Sequence, residues 1–227
     1  MKTKHMVLTS LFFLITFICI TFLSFYKEGF IFDEAIILWA NTVNSPLLVQ
    51  ILETITKIGS SEIIVLLTLL IILVLIYKKD WFNSLFFLTL SFGGVFLNFL
   101  LKILFQRERP GDSSYIEVFN YSLEIVSYSF PSGHTMRSVI LFIFVIYLSN
   151  LLFKTKPLRY LSYSVSLLVI FGVSLSRIVL DVHYFSDVIA AVSISIAWFC
   201  FCMYLFVKNA NYFEKDQKSL QKEKQLS

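Results

Sequence analysis

Three polar clusters interrupt an otherwise apolar chain of 227 residues. Each cluster combines basic or imidazole side chains with a small, hydroxylated or turn-forming residue. The clusters are Lys102 with Arg109 and Pro110, then Pro131-Ser132-Gly133-His134, then Ser176 and Arg177 with His183 and Asp187. Lysine and arginine neutralise phosphate oxygens, arginine through paired hydrogen bonds, while histidine can attack phosphorus or transfer a proton. These residue types therefore point to chemistry on a phosphate group.

The second cluster adds backbone donors to the side-chain cations. The candidate phosphate-binding cations are Lys102, Arg109 and Arg177. Pro131 can begin a helix, so that the amides of Ser132 and Gly133 point outward at the positive end of its dipole. Gly133, which lacks a side chain, lets a phosphate oxygen approach the backbone closely. We therefore expect Ser132 and Gly133 to complete a phosphate-binding site.

The two histidines of the clusters suit two different roles. His183 and Asp187 are four residues apart, which would place them on one face of a helix. The carboxylate can then hold one ring nitrogen and leave the other free to attack, with His134 as the proton donor to the leaving group. A metal site is not expected, because the third histidine, His5, is predicted to be cytoplasmic and the other site residues are cations.

Two further arginines lie beside the clusters. Arg107 could contact the phosphate, a lipid headgroup or Glu108, and the sequence leaves these alternatives open. Arg137 follows His134 by three residues and lies on the same side of a helix. We expect it to support His134 or to reach lipid headgroups.

Two features of the third apolar stretch suggest how it packs. Asn98 lies one turn before Lys102, so it could position Lys102 or bond to a neighbouring helix. Gly93 and Gly94 are expected to allow a close approach of another helix.

The composition requires a membrane around these clusters. Hydrophobic residues make up 57% of the chain, the mean hydropathy is +0.79, and there are 25 Phe. Soluble domains are closer to half apolar, and aromatic residues suit lipid-facing and interfacial surfaces. Cys19, Cys200 and Cys202 lie within apolar runs and are expected to be embedded packing thiols, so neither a disulfide framework nor a zinc site is supported. No cofactor is expected.

The predicted fold class is all-α, a polytopic membrane protein with six transmembrane helices. The predicted spans are roughly 6–25, 61–77, 82–102, 132–153, 159–177 and 187–207. The first span lacks a small-residue cleavage site, so we interpret it as a retained signal anchor. Because successive spans alternate in direction, the three clusters fall at the same side of the membrane. Ionisable groups that converge at a membrane are costly and indicate a functional site.

The basic residues give the orientation of the chain. With the N-terminus inside, 12 of the 19 Lys and Arg residues are cytoplasmic, so both termini are cytoplasmic and the clusters are extracytoplasmic. Residues 1–207 are predicted to form one transmembrane domain, followed by a polar cytoplasmic tail at 208–227 that is a frayed helix or disordered.

The outer segment 33–58 has its own pattern. Asp33 is a plausible N-cap before Ala35, and Asn44-Ser45-Pro46 breaks the apolar run. We predict two short amphipathic helices at the outer interface, which either plug the helix bundle or shape the path of a lipid to the site.

Order and spacing together resemble a known family. The pattern K-x6-RP, PSGH, SR-x5-H-x3-D over residues 102–187 is similar to the signature of the type-2 phosphatidic acid phosphatase superfamily, in its bacterial membrane-bound branch of phosphatidylglycerophosphatase-B-like and undecaprenyl-pyrophosphate-phosphatase-like enzymes. The resemblance implies a metal-independent mechanism. His183 would become phosphorylated, Asp187 would orient it, and His134 would protonate the leaving group. The phosphoryl oxygens would be held by Lys102, Arg109, Ser132, Gly133 and Arg177.

Three functions remain open at this stage. The leading one is a lipid phosphate phosphatase in the plasma membrane that acts on undecaprenyl pyrophosphate, phosphatidylglycerol phosphate or phosphatidic acid, with the outward site slightly favouring the first. A lipid-linked phosphotransferase would use the same residues, and a flippase would bind an anionic lipid without chemistry. The expected partners are the lipid phosphate and the bilayer, without nucleic acid, and the oligomeric state is left open.

Overall fold

The computed structural model describes the backbone of residues 3–26, 30–43, 45–110, 116–118, 121–123 and 128–226, and side chains within 3–26, 30–43, 45–110 and 128–209. Within these ranges the chain forms eight α-helices, a 3₁₀ turn and one hairpin. The helices are α1 Thr3–Phe25, α2 Ile31–Val43, α3 Pro46–Thr56, α4 Ser61–Tyr77, α5 Trp81–Phe105, α6 Gly133–Leu152, α7 Lys156–Val179 and α8 Phe185–Leu226; the 3₁₀ turn is Lys57–Gly59.

The predicted all-α membrane fold is confirmed. Five helices, α1 and α5 to α8, are long and apolar enough to cross a membrane. The pair α2–α3 reaches the same length and apolar composition only when its two helices are taken together, and it is bent by 119°. Helix α4 has the bounds predicted for the second span, and its 17 residues correspond to about 26 Å. The structure adds a short antiparallel hairpin, β1 Ile116–Val118 and β2 Tyr121–Leu123, which the sequence did not predict.

The last helix extends beyond its predicted span. Its apolar part runs over Phe185–Asn209, close to the predicted 187–207. The backbone then continues as a helix through the polar segment to Leu226.

Helix packing is tight where α5 meets its neighbours. A Cβ placed on Gly93 would lie 2.4 Å from Trp198 Cζ2, and one on Gly94 would lie 2.3 Å from Ile140 Cδ1. At both positions a β-carbon would overlap a side chain of α8 or α6 as these side chains are placed, so the two glycines allow this close approach. The close packing predicted for this glycine pair is confirmed.

The cysteines differ in their surroundings. Cys200 and Cys202 are buried inside the bundle, as expected of packing thiols. Cys19 is a free thiol exposed on the surface of α1, so for this residue the packing prediction is wrong. Its apolar sequence context reflects a lipid-facing surface rather than a protein interior.

The alternation of the helices brings the three clusters to one end of the bundle. Helices α5 and α7 end there, and α6 and α8 begin there. At this end Gln106 closes α5 in a left-handed conformation with φ of 45°, which turns the chain sharply after the last helical turn. Residues 107–110 are thereby directed back towards the bundle.

Helices α2 and α3 form the cover of this end. Ser45 caps α3 by accepting a bond from the Leu48 amide, Pro46 occupies its first turn, and the pair is bent by 119°. Helix α3 packs against α7, and α2 packs against α7 and α8. Helix α2 begins at Ile31, so Asp33 lies inside its first turn and the predicted N-cap role is wrong.

Candidate active site

His183 lies in the short loop between α7 and α8 rather than on a helix. The carbonyl oxygen of Arg177 accepts hydrogen bonds from the amides of Val182, at 3.2 Å, and His183, at 3.1 Å. This arrangement fixes His183 beside Arg177. The predicted shared helical face with Asp187 is wrong, because α8 begins only at Phe185.

The imidazole and the carboxylate nevertheless meet. His183 Nδ1 lies 3.3 Å from Asp187 Oδ2, and the two side chains are 1% and 0% exposed. The same Oδ2 accepts a bond of 3.0 Å from the Tyr184 amide, as the third helical residue does in a capping box. A carboxylate only accepts, so this contact favours the tautomer that carries its proton on Nδ1 and the lone pair on Nε2.

The surroundings favour the neutral form of His183. Burial lowers the pKa of His183 well below its ordinary value of 6.5, and the charges of Lys102, Arg177 and Arg109 lower it further. The imidazole is therefore uncharged at neutral pH, and its unprotonated nitrogen can act as a nucleophile.

The three predicted cations lie around this histidine. Lys102 is in the last turn of α5, where its Nζ donates to the Tyr128 carbonyl, and Arg177 is in the last turn of α7. Arg177 donates from Nη1 to Thr56 Oγ1 at 3.0 Å, and its buried Nε has no partner among the described residues. Burial lowers the pKa of Arg109, and the nearby Asp187 opposes this effect. An anion entering here would meet three buried or half-buried positive charges.

The start of α6 differs in detail from the prediction. The helix begins at Gly133 with Ser132 as its N-cap, so Pro131 precedes the helix rather than starting it. The Ser132 amide donates to the Asp187 carbonyl at 3.2 Å and is therefore not turned towards a phosphate as expected. Its hydroxyl accepts from Thr135 Oγ1 at 3.1 Å, and the residue is fully buried. The first amides of α6, beginning with Gly133, have no acceptor within the helix.

Gly133 sits where the sequence placed it, close to the cations. A Cβ on Gly133 would lie 3.2 Å from Asn98 Oδ1 and 3.9 Å from Lys102 Cε. Asn98 donates from Nδ2 to the Pro131 carbonyl at 3.2 Å. Asn98 therefore holds the turn before α6. The amide of its side chain bonds to this turn and not to Lys102.

His134 is held near Arg137. Arg137 Nη2 lies 3.5 Å from His134 Nδ1 and donates to the Gly59 carbonyl at 3.3 Å. Of the two roles predicted for Arg137, support of His134 fits this geometry. The charges nearest to His134 also include Arg177, His183 and Arg109, so the second histidine faces the same cluster.

Arg107 forms a network that the sequence did not predict. Its guanidinium binds Asp187 Oδ1 at 2.6 Å through Nη1 and Asp33 Oδ2 at 2.8 Å through Nη2, and it lies over the Tyr184 ring at 4.0 Å. Glu108, which the sequence offered as one partner of Arg107, is exposed. The carboxylates that Arg107 binds are those of Asp187 and Asp33. The signal for this pairing was Asp33, an acid in an apolar outer segment, because a carboxylate that becomes buried requires a partner.

The charged groups around His183 suit an anion. In the part of the chain whose side chains are described, no three His, Cys, Asp or Glu residues are grouped as ligands of one metal ion. The site is instead dominated by guanidinium and ammonium groups, which bind phosphate oxygens.

Comparison with known proteins places this geometry in context. Residues 81–211, which include all three clusters, match the profile described as the PAP2 superfamily. Phosphatidylglycerophosphatase B of Bacillus subtilis (strain 168) is 30% identical over 176 residues, covering 74% of this chain and 79% of the relative.

Two solved structures share the fold. The crystal structure of a transmembrane PAP2 type phosphatidylglycerolphosphate phosphatase from Bacillus subtilis superposes with a TM-score of 0.74 at 25% identity, covering 88% of this chain and 96% of that one. Aquifex aeolicus LpxE superposes with a TM-score of 0.56 at 20% identity, covering 78% of this chain and 97% of that one. The first agreement extends over most of this chain.

Proposed function

The chain belongs to the PAP2 superfamily and is a multi-pass membrane phosphatase, and we propose that it removes the terminal phosphate of a membrane lipid through a phosphohistidine on His183. The observation that supports this proposal most is the state of His183. Its Nδ1 lies 3.3 Å from Asp187 Oδ2, and the positive charges of Lys102, Arg177 and Arg109 lie close enough to lower its pKa. A neutral nucleophile beside several cations is what attack on a phosphate dianion requires.

In the first step, the lone pair of His183 Nε2 forms a bond to phosphorus while the bond from phosphorus to the lipid oxygen breaks. The proton on Nδ1 stays with the Asp187–His183 pair, and the carboxylate stabilises the positive charge that develops on the ring. His134 gives a proton to the departing lipid oxygen. The bound phosphate balances the cations around His134, so that the ring can hold this proton before transfer.

In the second step, water displaces His183 from phosphorus. His134, which has lost its proton, accepts one from the water as the oxygen attacks. The products are inorganic phosphate and the neutral His183, ready for another turnover.

In this proposal the phosphoryl oxygens are bound by the three cations and by the first turn of α6. Lys102, Arg109 and Arg177 contact them as side chains, and Gly133 contributes its amide. Ser132 contributes through the geometry of its turn, since its own amide is bonded to Asp187. Each such contact strengthens as charge shifts to the equatorial oxygens in the transition state.

The choice of lipid substrates to assay follows from the name of one relative. The name of the Bacillus subtilis relative supports phosphatidylglycerol phosphate as the first substrate to assay. Undecaprenyl pyrophosphate and phosphatidic acid present the same terminal phosphate on an apolar anchor, so they belong in the same panel. We assign the site to the extracytoplasmic face of the plasma membrane, with residues 1–207 as the phosphatase domain and 208–227 as its cytoplasmic tail, from the distribution of Lys and Arg.

The test is phosphate release by the purified protein in detergent. The wild-type chain and His183→Ala are compared on phosphatidylglycerol phosphate, undecaprenyl pyrophosphate and phosphatidic acid. Release by the wild type that is lost in His183→Ala supports hydrolysis at this site. Full activity of His183→Ala, or no release from any of the three lipids, contradicts it. A glycerol or sugar acceptor added to the same assay detects transfer to an alcohol instead of water.

A further inference from the structure

The carboxylate that supports His183 also binds a cation. Asp187 uses Oδ2 for His183 and for the Tyr184 amide, while its Oδ1 is bound by Arg107 at 2.6 Å. Arg107 Nη1 also lies 2.7 Å from Ser186 Oγ. Both oxygens of the carboxylate are therefore held, and rotation of the Asp187 side chain is restricted.

Arg107 is in turn held by α2. Its Nη2 binds Asp33 Oδ2 at 2.8 Å, and the side chains of Arg107 and Asp33 are 13% and 5% exposed. Asp33 also accepts from the Ser186 amide at 2.8 Å through Oδ1 and from Ser186 Oγ at 2.6 Å through Oδ2. Asp33 is thus a capping carboxylate for α8, although it belongs to α2, 153 residues earlier.

The backbone around Arg107 is fixed as well. The Arg107 carbonyl accepts from the Ser129 amide at 2.7 Å, and Ser129 Oγ donates to the Glu108 carbonyl at 2.9 Å. The segment after α5 is therefore tied to the segment before α6. A guanidinium anchored at its backbone and at two carboxylates has little freedom to follow a phosphate.

We propose that Asp33 and Arg107 form a positioning pair that holds Asp187, and through it His183, in the reactive geometry, with Arg107 making no contact with the phosphate. This inference rests on the proposed function, because its readout is the rate of lipid phosphate hydrolysis. It assigns to α2 a task beyond covering the site: its single buried acid sets the position of the catalytic pair.

The experiment measures kcat, KM and competitive inhibition by inorganic phosphate on short-chain phosphatidic acid. The variants are Arg107→Gln, Arg107→Lys, Asp33→Asn and the double variant Asp33→Asn/Arg107→Gln. The control is Glu34→Gln, which changes the neighbouring acid of α2, an exposed residue.

The expected pattern separates positioning from phosphate binding. Misplacement of a catalytic group costs about a hundredfold in rate, so kcat of Arg107→Gln falls by about that factor while KM and the phosphate inhibition constant stay within about threefold. Arg107→Lys keeps the charge and recovers part of the rate. In Asp33→Asn, kcat falls by about tenfold. Adding this change to Arg107→Gln lowers kcat by less than about twofold more, because the effects of substitutions at coupled residues are not additive. Glu34→Gln behaves as the wild type.

Three results overturn the proposal. A phosphate inhibition constant that rises in proportion to the loss in kcat/KM makes Arg107 a phosphate ligand. Additive losses in the double variant would show that Asp33 and Arg107 act independently. An unchanged kcat in Arg107→Gln would show that Arg107 does not position Asp187. Should Arg107→Gln fail to fold, Asp33→Asn decides: a lowered kcat at unchanged KM supports the pair, and a wild-type kcat rejects it. Release of phosphate by the wild type but not by His183→Ala keeps the proposed function intact in every one of these cases.

Discussion

Arg107 binds Oδ1 of Asp187 at 2.6 Å, while His183 Nδ1 lies 3.3 Å from Oδ2 of the same carboxylate. One side chain therefore connects the end of α5, the loop after α7 and the start of α8. The histidine that we propose as nucleophile is consequently positioned by contacts from three parts of the chain. The rate of hydrolysis should therefore fall when any of these contacts is removed. The loss should be larger for residues that act directly on the phosphate than for residues that position another side chain.

Substitution of each of the three proposed catalytic side chains should lower the rate strongly. His183→Ala loses about a thousandfold or more, because the nucleophile is absent. Asp187→Asn loses up to about 10⁴, as in a comparable Asp–His pair, and His134→Gln loses about 10² to 10⁴ through the missing proton transfer. Phosphate release measures all three.

The third histidine of the chain provides the control for this series. His5 is exposed near the start of α1, at the opposite end of the bundle from His183. His5→Gln should keep the wild-type rate. A wild-type rate in His134→Gln would remove that residue from the mechanism.

Arg177 should contribute through its contact with the phosphoryl oxygens. Loss of one such donor costs about 3 kcal/mol of transition-state stabilisation, so Arg177→Gln is expected to lower kcat/KM by about a hundredfold. Thr56→Val removes the hydroxyl that accepts from Arg177 Nη1 and leaves the guanidinium in place. Its loss should be smaller than tenfold by steady-state kinetics, and equal losses in the two variants would argue against direct phosphate contact by Arg177.

The pH dependence follows from the lowered pKa of His183. Because protonation removes the nucleophile, a pKa below 6.5 extends activity towards acid pH. Arg177 is one of the cations that lower this pKa, so Arg177→Gln should move the acid limb of kcat/KM to higher pH. The titration of the substrate phosphate is common to both proteins and cancels in the comparison. An acid limb that stays in place, or moves to lower pH, would contradict this electrostatic assignment.

The spans and the three clusters could be predicted from the sequence because their signals are local. Apolar runs mark α1 and α4 to α8, and the residues from Lys102 to Asp187 carry recognisable spacing. The support of the site could not be predicted in this way. Asp33 binds Arg107 across 74 residues, and Thr56 binds Arg177 across 121, through the fold of α2 and α3 over the bundle. No periodic pattern encodes which buried acid meets which arginine.

Close packing of α5 makes its glycines sensitive to enlargement. Gly94→Ala would place a methyl group 2.3 Å from Ile140 Cδ1, and overpacking of this kind costs about 1–3 kcal/mol. A lower Tm in detergent is expected. Gly172→Ala is the milder comparison, because its added Cβ would lie 3.2 Å from Ile55 Cγ2. Equal Tm values for Gly94→Ala and the wild type would show that the Ile140 side chain can rotate away from the added methyl group.

Inhibition by vanadate and insensitivity to chelators test two parts of the proposed mechanism, the phosphoryl transition state and the independence from metal ions. Orthovanadate adopts a trigonal-bipyramidal form that resembles the phosphoryl transition state, so it should inhibit at or below millimolar concentration. A chelator should leave the rate unchanged, because the proposed phosphate contacts are Lys102, Arg109 and Arg177. Loss of activity with chelator that a divalent cation restores would contradict the metal-independent mechanism.

The most direct test of the central claim is detection of the phosphohistidine itself. The wild-type protein is mixed with lipid phosphate, quenched in alkali, where phosphohistidine is stable, and digested for mass spectrometry. His134→Gln is treated in parallel; because His134 acts in both steps, the amount of intermediate in this variant shows which step is slowed more. We predict one added phosphoryl group on the peptide that contains His183, absent from Asp187→Asn at the same time point. Turnover without any phosphorylated His183, or with the phosphoryl group on another residue, would contradict the assignment of His183 as the nucleophile.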